Sequence, residues 1–253
     1  MGKKTVVFGS FVVDLMGRSA HLPAAGETVK GTVFKMGPGG KGFNQGVAAH
    51  KAGADVTMVT KLGRDSFADI ALNTMKDLGM KQDRILYSDD TETGCALIMV
   101  DENTSQNEIV VILGSCNTIS DAEVDSLEDL LDGSEYLLTQ LETNVSSVER
   151  IVDIACKKGV KVILNTAPIQ PISDELLSKV DLITPNEVEA EILTGVKVDS
   201  EEAADKAAEW FFHKGVKRVL ITLGGRGVYI NTRDKKGIIP AYKVNAIDTT
   251  GAG

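Results

Sequence analysis

Ser146-Ser147-Val148-Glu149-Arg150-Ile151-Val152-Asp153-Ile154-Ala155-Cys156-Lys157-Lys158-Gly159-Val160-Lys161-Val162-Ile163-Leu164 is the stretch whose reading decides the class of fold. It opens on Ser-Ser-Val-Glu, the pattern of a capping box, in which a hydroxyl and a carboxylate satisfy the free N–H groups at a helix start. Val148, Ile151, Val152 and Ala155 then fall on one helical face. Lys157-Lys158-Gly159 supplies cations and a glycine where a helix stops. Val160 to Leu164 is a short apolar run, suited to a parallel strand buried on both faces. The unit recurs downstream: Glu201 to Lys214 reads as a helix closed by Gly215, and Val219-Leu220-Ile221-Thr222-Leu223 as the next strand. This alternation predicts an α/β protein built on a doubly wound parallel sheet flanked by helices.

Upstream, two segments break the rhythm. Residues from about Phe11 to Met36 and from about Thr91 to Val111 read as strands with no helix between them. In the second, Cys95 to Val100 and Glu108 to Val111 flank a polar turn from Asp101 to Asn107. Such strands do not join a parallel sheet easily, so a small separate β-sheet lid is predicted. The segments at about 11–36 and 91–111 are read as insertions in a single α/β domain spanning 1–253, because no repeat or low-complexity linker separates them.

Composition narrows the function. The 253 residues, 43% hydrophobic and 25% charged, suit one large α/β domain or two small ones with a sizeable core. The net charge is −9 and the cations are scattered, which excludes nucleic acid and anionic membranes as partners. A polyphosphate ligand must therefore be held by local backbone dipoles and a metal ion. Cys95, Cys116 and Cys156 are isolated, and there are only three histidines, so neither a disulfide framework nor a zinc site is expected. A reducing, cytoplasmic location follows. The apolar run of MGKKTVVFGSFVVD is broken by Gly9, Ser10 and Asp14, as in a first strand and unlike a signal peptide.

Four clusters carry candidate chemistry. Gly37-Pro38-Gly39-Gly40-Lys41-Gly42-Phe43-Asn44-Gln45 contains a literal GxGxxG. A dinucleotide fingerprint belongs in the first strand–helix unit with an acid about 20 residues on, and neither condition is met. A P-loop needs Ser or Thr after its lysine, where Gly42 stands. A plain glycine turn is one alternative; the other is a backbone that closes on a polyhydroxylated ligand. Asp248-Thr249-Thr250-Gly251-Ala252-Gly253 presents small residues entering a helix, whose N–H groups form an anion hole. Thr184-Pro185-Asn186-Glu187-Val188-Glu189, at a strand end opening a helix, reads locally as an Asn cap with acids in the first turn. Leu220-Ile221-Thr222-Leu223-Gly224-Gly225-Arg226-Gly227 reads locally as a hairpin.

Taken together, the order and spacing of these clusters resemble the ribokinase, or pfkB, family of carbohydrate kinases, from Val7-Phe8-Gly9-Ser10 to Gly253. The motifs GGKGxNQ, Gln140-Leu141-Glu142, TPNExE and LITLGxRG are those of ribokinases. The resemblance implies a doubly wound α/β domain with a β-sheet lid, and ATP-dependent phosphorylation of a sugar hydroxyl, with ribose to ribose 5-phosphate as the leading reaction. By similarity Asp14, Gly40, Lys41, Asn44 and Glu142 hold the sugar, and Ala96 and Ile98 cover its apolar face. Asn186, Thr222, Gly224 and Gly225 fall in the nucleotide site, and Glu189 acts on Mg²⁺ through water. Asp248 and Thr250 match a site for a monovalent cation, usually K⁺. Gly251, Ala252 and Gly253 form the catalytic anion hole. The family's general-base Asp follows that hole, and the sequence ends at Gly253 without it; the polypeptide as given is therefore expected to be inactive as a kinase. Val12 stands where ribokinases usually carry Asn two residues before the sugar-binding Asp. Another pentose, a deoxy sugar or a hexose is thus open as substrate, as is a non-catalytic sugar-binding fragment. The resemblance also allows a homodimer through the lid.

Overall fold

A computed structural model of the chain describes residues 2–104 and 106–243. The chain begins with β1 (Lys4–Phe8) and then runs out into β2 (Val12–Ser19) and β3 (Gly31–Gly39). It enters α1 (Lys41–Lys51), followed by β4 (Asp55–Val59), the short β5 (Lys61–Leu62), α2 (Ser66–Asp77) and β6 (Leu86–Tyr87). A second excursion makes β7 (Thr93–Asp101) and β8 (Asn107–Gly114). Strict alternation then sets in: α3 (Asp121–Asp125), β9 (Tyr136–Thr139), α4 (Val145–Lys157), β10 (Lys161–Leu164), α5 (Asp174–Ser178) and β11 (Leu182–Ile183). Helices α6 (Glu187–Thr194) and α7 (Glu201–His213) lead to β12 (Val219–Thr222), β13 (Val228–Asn231) and β14 (Lys236–Ile239).

The main sheet has the order β14-β13-β12-β11-β10-β9-β1-β4. From β4 to β12 every pairing is parallel, whereas β13 runs antiparallel to both β12 and β14. The expected parallel sheet is present, and at this edge the hairpin read at Leu220–Gly227 makes it mixed. A parallel return needs a crossover of about a dozen residues or more. Here the chain doubles back immediately, with Leu223 N–H donating to Gly227 O at 2.8 Å. One sheet face packs Val6, Leu137, Val162, Ile183, Val219 and Ile221 against α4 and α7, the latter through Ala204, Ala207, Ala208 and Phe211. On the other face Val7 meets Phe43 of α1 and Ala68, Ala71 and Met75 of α2. Each fully buried large apolar side chain contributes roughly 1.5–3 kcal/mol.

Helix α4 does not start where its sequence pattern suggests. Its N-cap is Asn144, which makes no side-chain cap bond. The Asn144 amide is instead spent on Ile119, accepting from its N–H at 3.2 Å and donating to its carbonyl at 2.9 Å. Ser147 Oγ donates to Asn144 O, and Glu149 accepts from Ser173 Oγ. The residues of the apparent capping box are thus used elsewhere. The stop is as expected, with Gly159 left-handed at φ 72° directly after the C-cap Lys158.

The strand-only segments form a second sheet of order β3-β2-β7-β8. Strands β2 and β7 are parallel and the outer pairs antiparallel. In register, Asp14 faces Ala96, Met16 faces Ile98 and Val12 faces Gly94, so these side chains share one face. The opposite face carries Phe34, Met36, Leu97, Met99, Val110 and Ile112, all exposed. No helix among the described residues is long and apolar enough to cross a membrane.

Candidate active site

Strand β1 lies between β4 and β9. The chain therefore proceeds outward from β1 in one direction and later in the other, and at such a switch point the loops leaving adjacent strands part to open a crevice. Ser10 leaves β1 there and Glu142 leaves β9. Ser10, wholly buried, donates its hydroxyl to Glu142 Oε2 at 2.5 Å. The same oxygen accepts the backbone N–H of Lys41 at 2.7 Å. Ser10 also accepts from Gly42 N–H on its hydroxyl and from Phe43 N–H on its carbonyl. The opening N–H groups of α1, which a local cap would ordinarily satisfy, are thus satisfied from the ends of β1 and β9. The N-cap itself is Gly40, with φ 92° and no side-chain cap. A Cβ there would lie 2.9 Å from Ser10 O and Phe11 Cα, so both conformation and space require glycine.

Asp14 reaches into this junction from β2. Its carboxylate lies across Gly39, where an added Cβ would sit 2.2 Å from Oδ1. Burial pushes the Asp14 carboxyl above its usual range, and the nearby charge of Glu142 adds to the rise. Among the described residues no hydrogen bond reaches the Asp14 carboxylate. Beside it, Val12, Ala96 and Ile98 form a small apolar patch edged by Met16 and Val100. Around the Gly39–Gly40 turn the fold therefore gathers Asp14, Gly40, Lys41, Ala96, Ile98 and Glu142. Lys41 contributes its backbone N–H, and its side chain makes no ion pair among the described residues. Asn44 lies further along the first turn of α1 and is exposed.

A second group forms at the start of α6. Asn186 and Glu189 make a complete capping box: Glu189 N–H donates to Asn186 Oδ1 at 2.8 Å, and Asn186 N–H donates to Glu189 Oε2 at 3.0 Å. The Asn186 amide also donates to Glu189 Oε1, and Thr166 Oγ1 donates to Oε2 at 2.9 Å. Thr222 forms an isolated parallel bridge with Asn186. Gly224 and Gly225 follow in an exposed single turn. Arg226 ties that turn back to Val198 O, Asp199 O and the Glu187 carboxylate. The local readings of these two clusters, an Asn cap and a hairpin, are therefore both present in the geometry.

Among the described residues no cluster of three or more His, Cys, Asp or Glu is placed to hold a metal ion. With Glu187 paired to Arg226, the second group offers one remaining carboxylate, Glu189, and an amide. Asp248, Thr250, Gly251, Ala252 and Gly253 lie outside the described residues. Two participants were not anticipated. Ser10 pairs with Glu142 across 132 positions, a spacing that no local pattern encodes. Thr166 stands in a loop with no motif of its own.

A family model described as pfkB family carbohydrate kinase matches residues 3–253. The chain belongs to the pfkB family of carbohydrate kinases. This pfkB-family chain is 44% identical to a ribokinase from Haemophilus influenzae over 253 residues, all of this chain and 82% of the other. It is 37% identical to a deoxyribokinase from Salmonella typhi over 248 residues, covering 98% of this chain and 81% of that one. Its fold matches the structure of Arabidopsis thaliana ribokinase complexed with ribose and ATP, with a TM-score of 0.84 at 27% identity. That match covers 98% of this chain and 80% of the plant protein.

Proposed function

We propose that this protein transfers the γ-phosphoryl group of ATP to a sugar hydroxyl, with D-ribose as acceptor and ribose 5-phosphate as product. The observation that carries the reading is the Asp14 carboxylate, part-buried next to Glu142 and lacking any hydrogen-bond donor among the described residues. Buried polar groups are normally paired. A ligand with several adjacent hydroxyls supplies the missing donors, while the Ala96–Ile98 patch suits the apolar face of a sugar ring. In this reading Asp14, Gly40, Lys41, Asn44 and Glu142 bind the sugar. The second sheet is the lid, inserted as two segments in one α/β domain, and it shields the acceptor from water.

Asn186, Thr222, Gly224 and Gly225 bind the nucleotide. A single carboxylate fits Mg²⁺ that arrives with a nucleotide, since Mg²⁺ keeps much of its water shell and binds through one or two carboxylates plus substrate phosphates. Glu189 would hold it through water, and the ion would there supply neutralisation of charge on the transferring group. Asp248 and Thr250 are assigned to K⁺, and Gly251, Ala252 and Gly253 to the anion hole. The three free thiols accord with a cytoplasmic location. The exposed face bearing Phe34, Met36, Leu97 and Val110 supports a homodimer through the lid.

A second reading, 2-deoxyribose as acceptor, is favoured by Val12. It is buried beside Ala96 on the face that carries Asp14, where an apolar side chain offers nothing to a hydroxyl. A coupled assay of ADP release with ribose and with deoxyribose, paired with sugar-binding calorimetry, tests both. The Val12→Asn variant is expected to shift preference toward ribose by roughly 5–10-fold, the worth of one hydrogen bond. Absence of both sugar binding and sugar-stimulated ADP release overturns the proposal. Sugar binding without turnover selects the non-catalytic alternative.

A further inference from the structure

The capping box at the start of α6 is complete without Thr166. Asn186 and Glu189 satisfy each other's backbone N–H groups, and nothing about the helix start calls for another donor. Yet Thr166, wholly buried in the loop after β10, places its hydroxyl 2.9 Å from Glu189 Oε2. A glutamate in an ordinary capping box keeps its outer face in water and can swing about its terminal torsion. Here Asn186 N–H and Thr166 fix one oxygen, the Asn186 amide fixes the other, and the plane of the carboxylate is set. The loop that carries Thr166 is itself anchored at the other half of the crevice. Ala167 O accepts Leu141 N–H at 3.1 Å, and the Gln170 amide donates to Leu141 O, immediately before Glu142.

We infer that Thr166 is a positioning residue, which holds the Glu189 carboxylate in the orientation that receives a hydrated Mg²⁺–nucleotide. The inference rests on the kinase reading for its consequence and on the geometry alone for its structural content. Loss of a hydrogen-bonding partner behind a metal-binding carboxylate typically costs 10–100-fold in metal affinity or activity. Because Glu189 acts through water, the lower end applies. Thr166→Val, which keeps the shape and removes the hydroxyl, is expected to raise the half-saturating Mg²⁺ concentration about 10-fold. It should weaken Mn²⁺–nucleotide binding, followed by electron paramagnetic resonance, by a similar factor. Sugar affinity should stay unchanged, and Thr166→Ser should restore both values.

A role confined to packing gives a different result: a lower unfolding midpoint, unchanged metal dependence and no rescue by serine. That outcome overturns the inference. A crystal structure of the Thr166→Val protein decides independently of any activity. A rotated Glu189 carboxylate supports the inference, and a carboxylate in its original place overturns it. If the unaltered full chain binds no metal–nucleotide at all, the kinase reading fails, and the crystal structure still decides the role of Thr166.

Discussion

At Asp14 two effects act in the same direction: burial strips water from the carboxylate, and the charge of Glu142 raises the energy of its ionised form further. The folded protein therefore binds a proton at Asp14 more tightly than the unfolded chain does. The stability tied to this group is fully present below the ordinary carboxylate range, near pH 4, and is lost as pH rises through the elevated folded value. Asp14→Asn is accordingly expected to raise the thermal midpoint at pH 7, an advantage that vanishes at pH 3.5, while calorimetry shows sugar binding lost. A midpoint at pH 7 at or below that of the unaltered protein contradicts this account. How such residues read in sequence depends on distance along the chain. Asn186 and Glu189 are three apart, and their partnership is visible in the letters. Ser10 and Glu142 are brought together only by strand order, which no local pattern carries.

Helix starts separate pattern from use. The Ser146-Ser147-Val148-Glu149 stretch fits a capping box as well as Asn186 and Glu189 do, yet only the second pair forms one. Neighbouring elements make the difference. Ile119 claims the Asn144 amide and Ser173 claims Glu149, and the N-cap of α4 lies two residues before the apparent one. Its stability comes from Val148, Ile151, Val152 and Ala155 in the core, the part of its sequence that was read correctly. Substitutions should rank accordingly in urea unfolding. Asn186→Ala is expected to cost about 1 kcal/mol, within the 0.5–2 kcal/mol usual for a lost cap. Ser146→Ala should change stability by less than roughly 0.5 kcal/mol. Equal effects would mean that the α4 pattern is a working cap after all.

Across the whole molecule, the alternation of helix and strand made the main sheet legible, and the strand-only segments announced a second one. What stayed hidden was the order of strands, and with it the switch point beside β1, because order is set by long-range packing. The antiparallel β12–β13 pairing was legible only in the turn, as the local hairpin at Leu220–Gly227, because an apolar strand such as Val219–Thr222 has the same composition whichever way its neighbour runs. The second sheet also leaves an apolar face in water, with Phe34 69% exposed. If that face seats a second copy, the double variant Phe34→Asp, Val110→Asp should sediment as a monomer under conditions where the unaltered protein sediments as a dimer. Identical sedimentation would move the interface elsewhere.

The bond from Lys41 N–H to Glu142 joins residues 101 positions apart. On the ribosome, where synthesis proceeds at roughly 5–20 residues per second, α1 emerges at least about five seconds before the side chain that caps it exists. Until β9 docks beside β1, the first turn of α1 is held only by Ser10, through Gly42 and Phe43, and lacks the Glu142 half of its anchor. The nascent chain should therefore expose an unformed crevice until roughly the first 140 residues have cleared the exit tunnel, with helix start, sheet and crevice then maturing in a single late step.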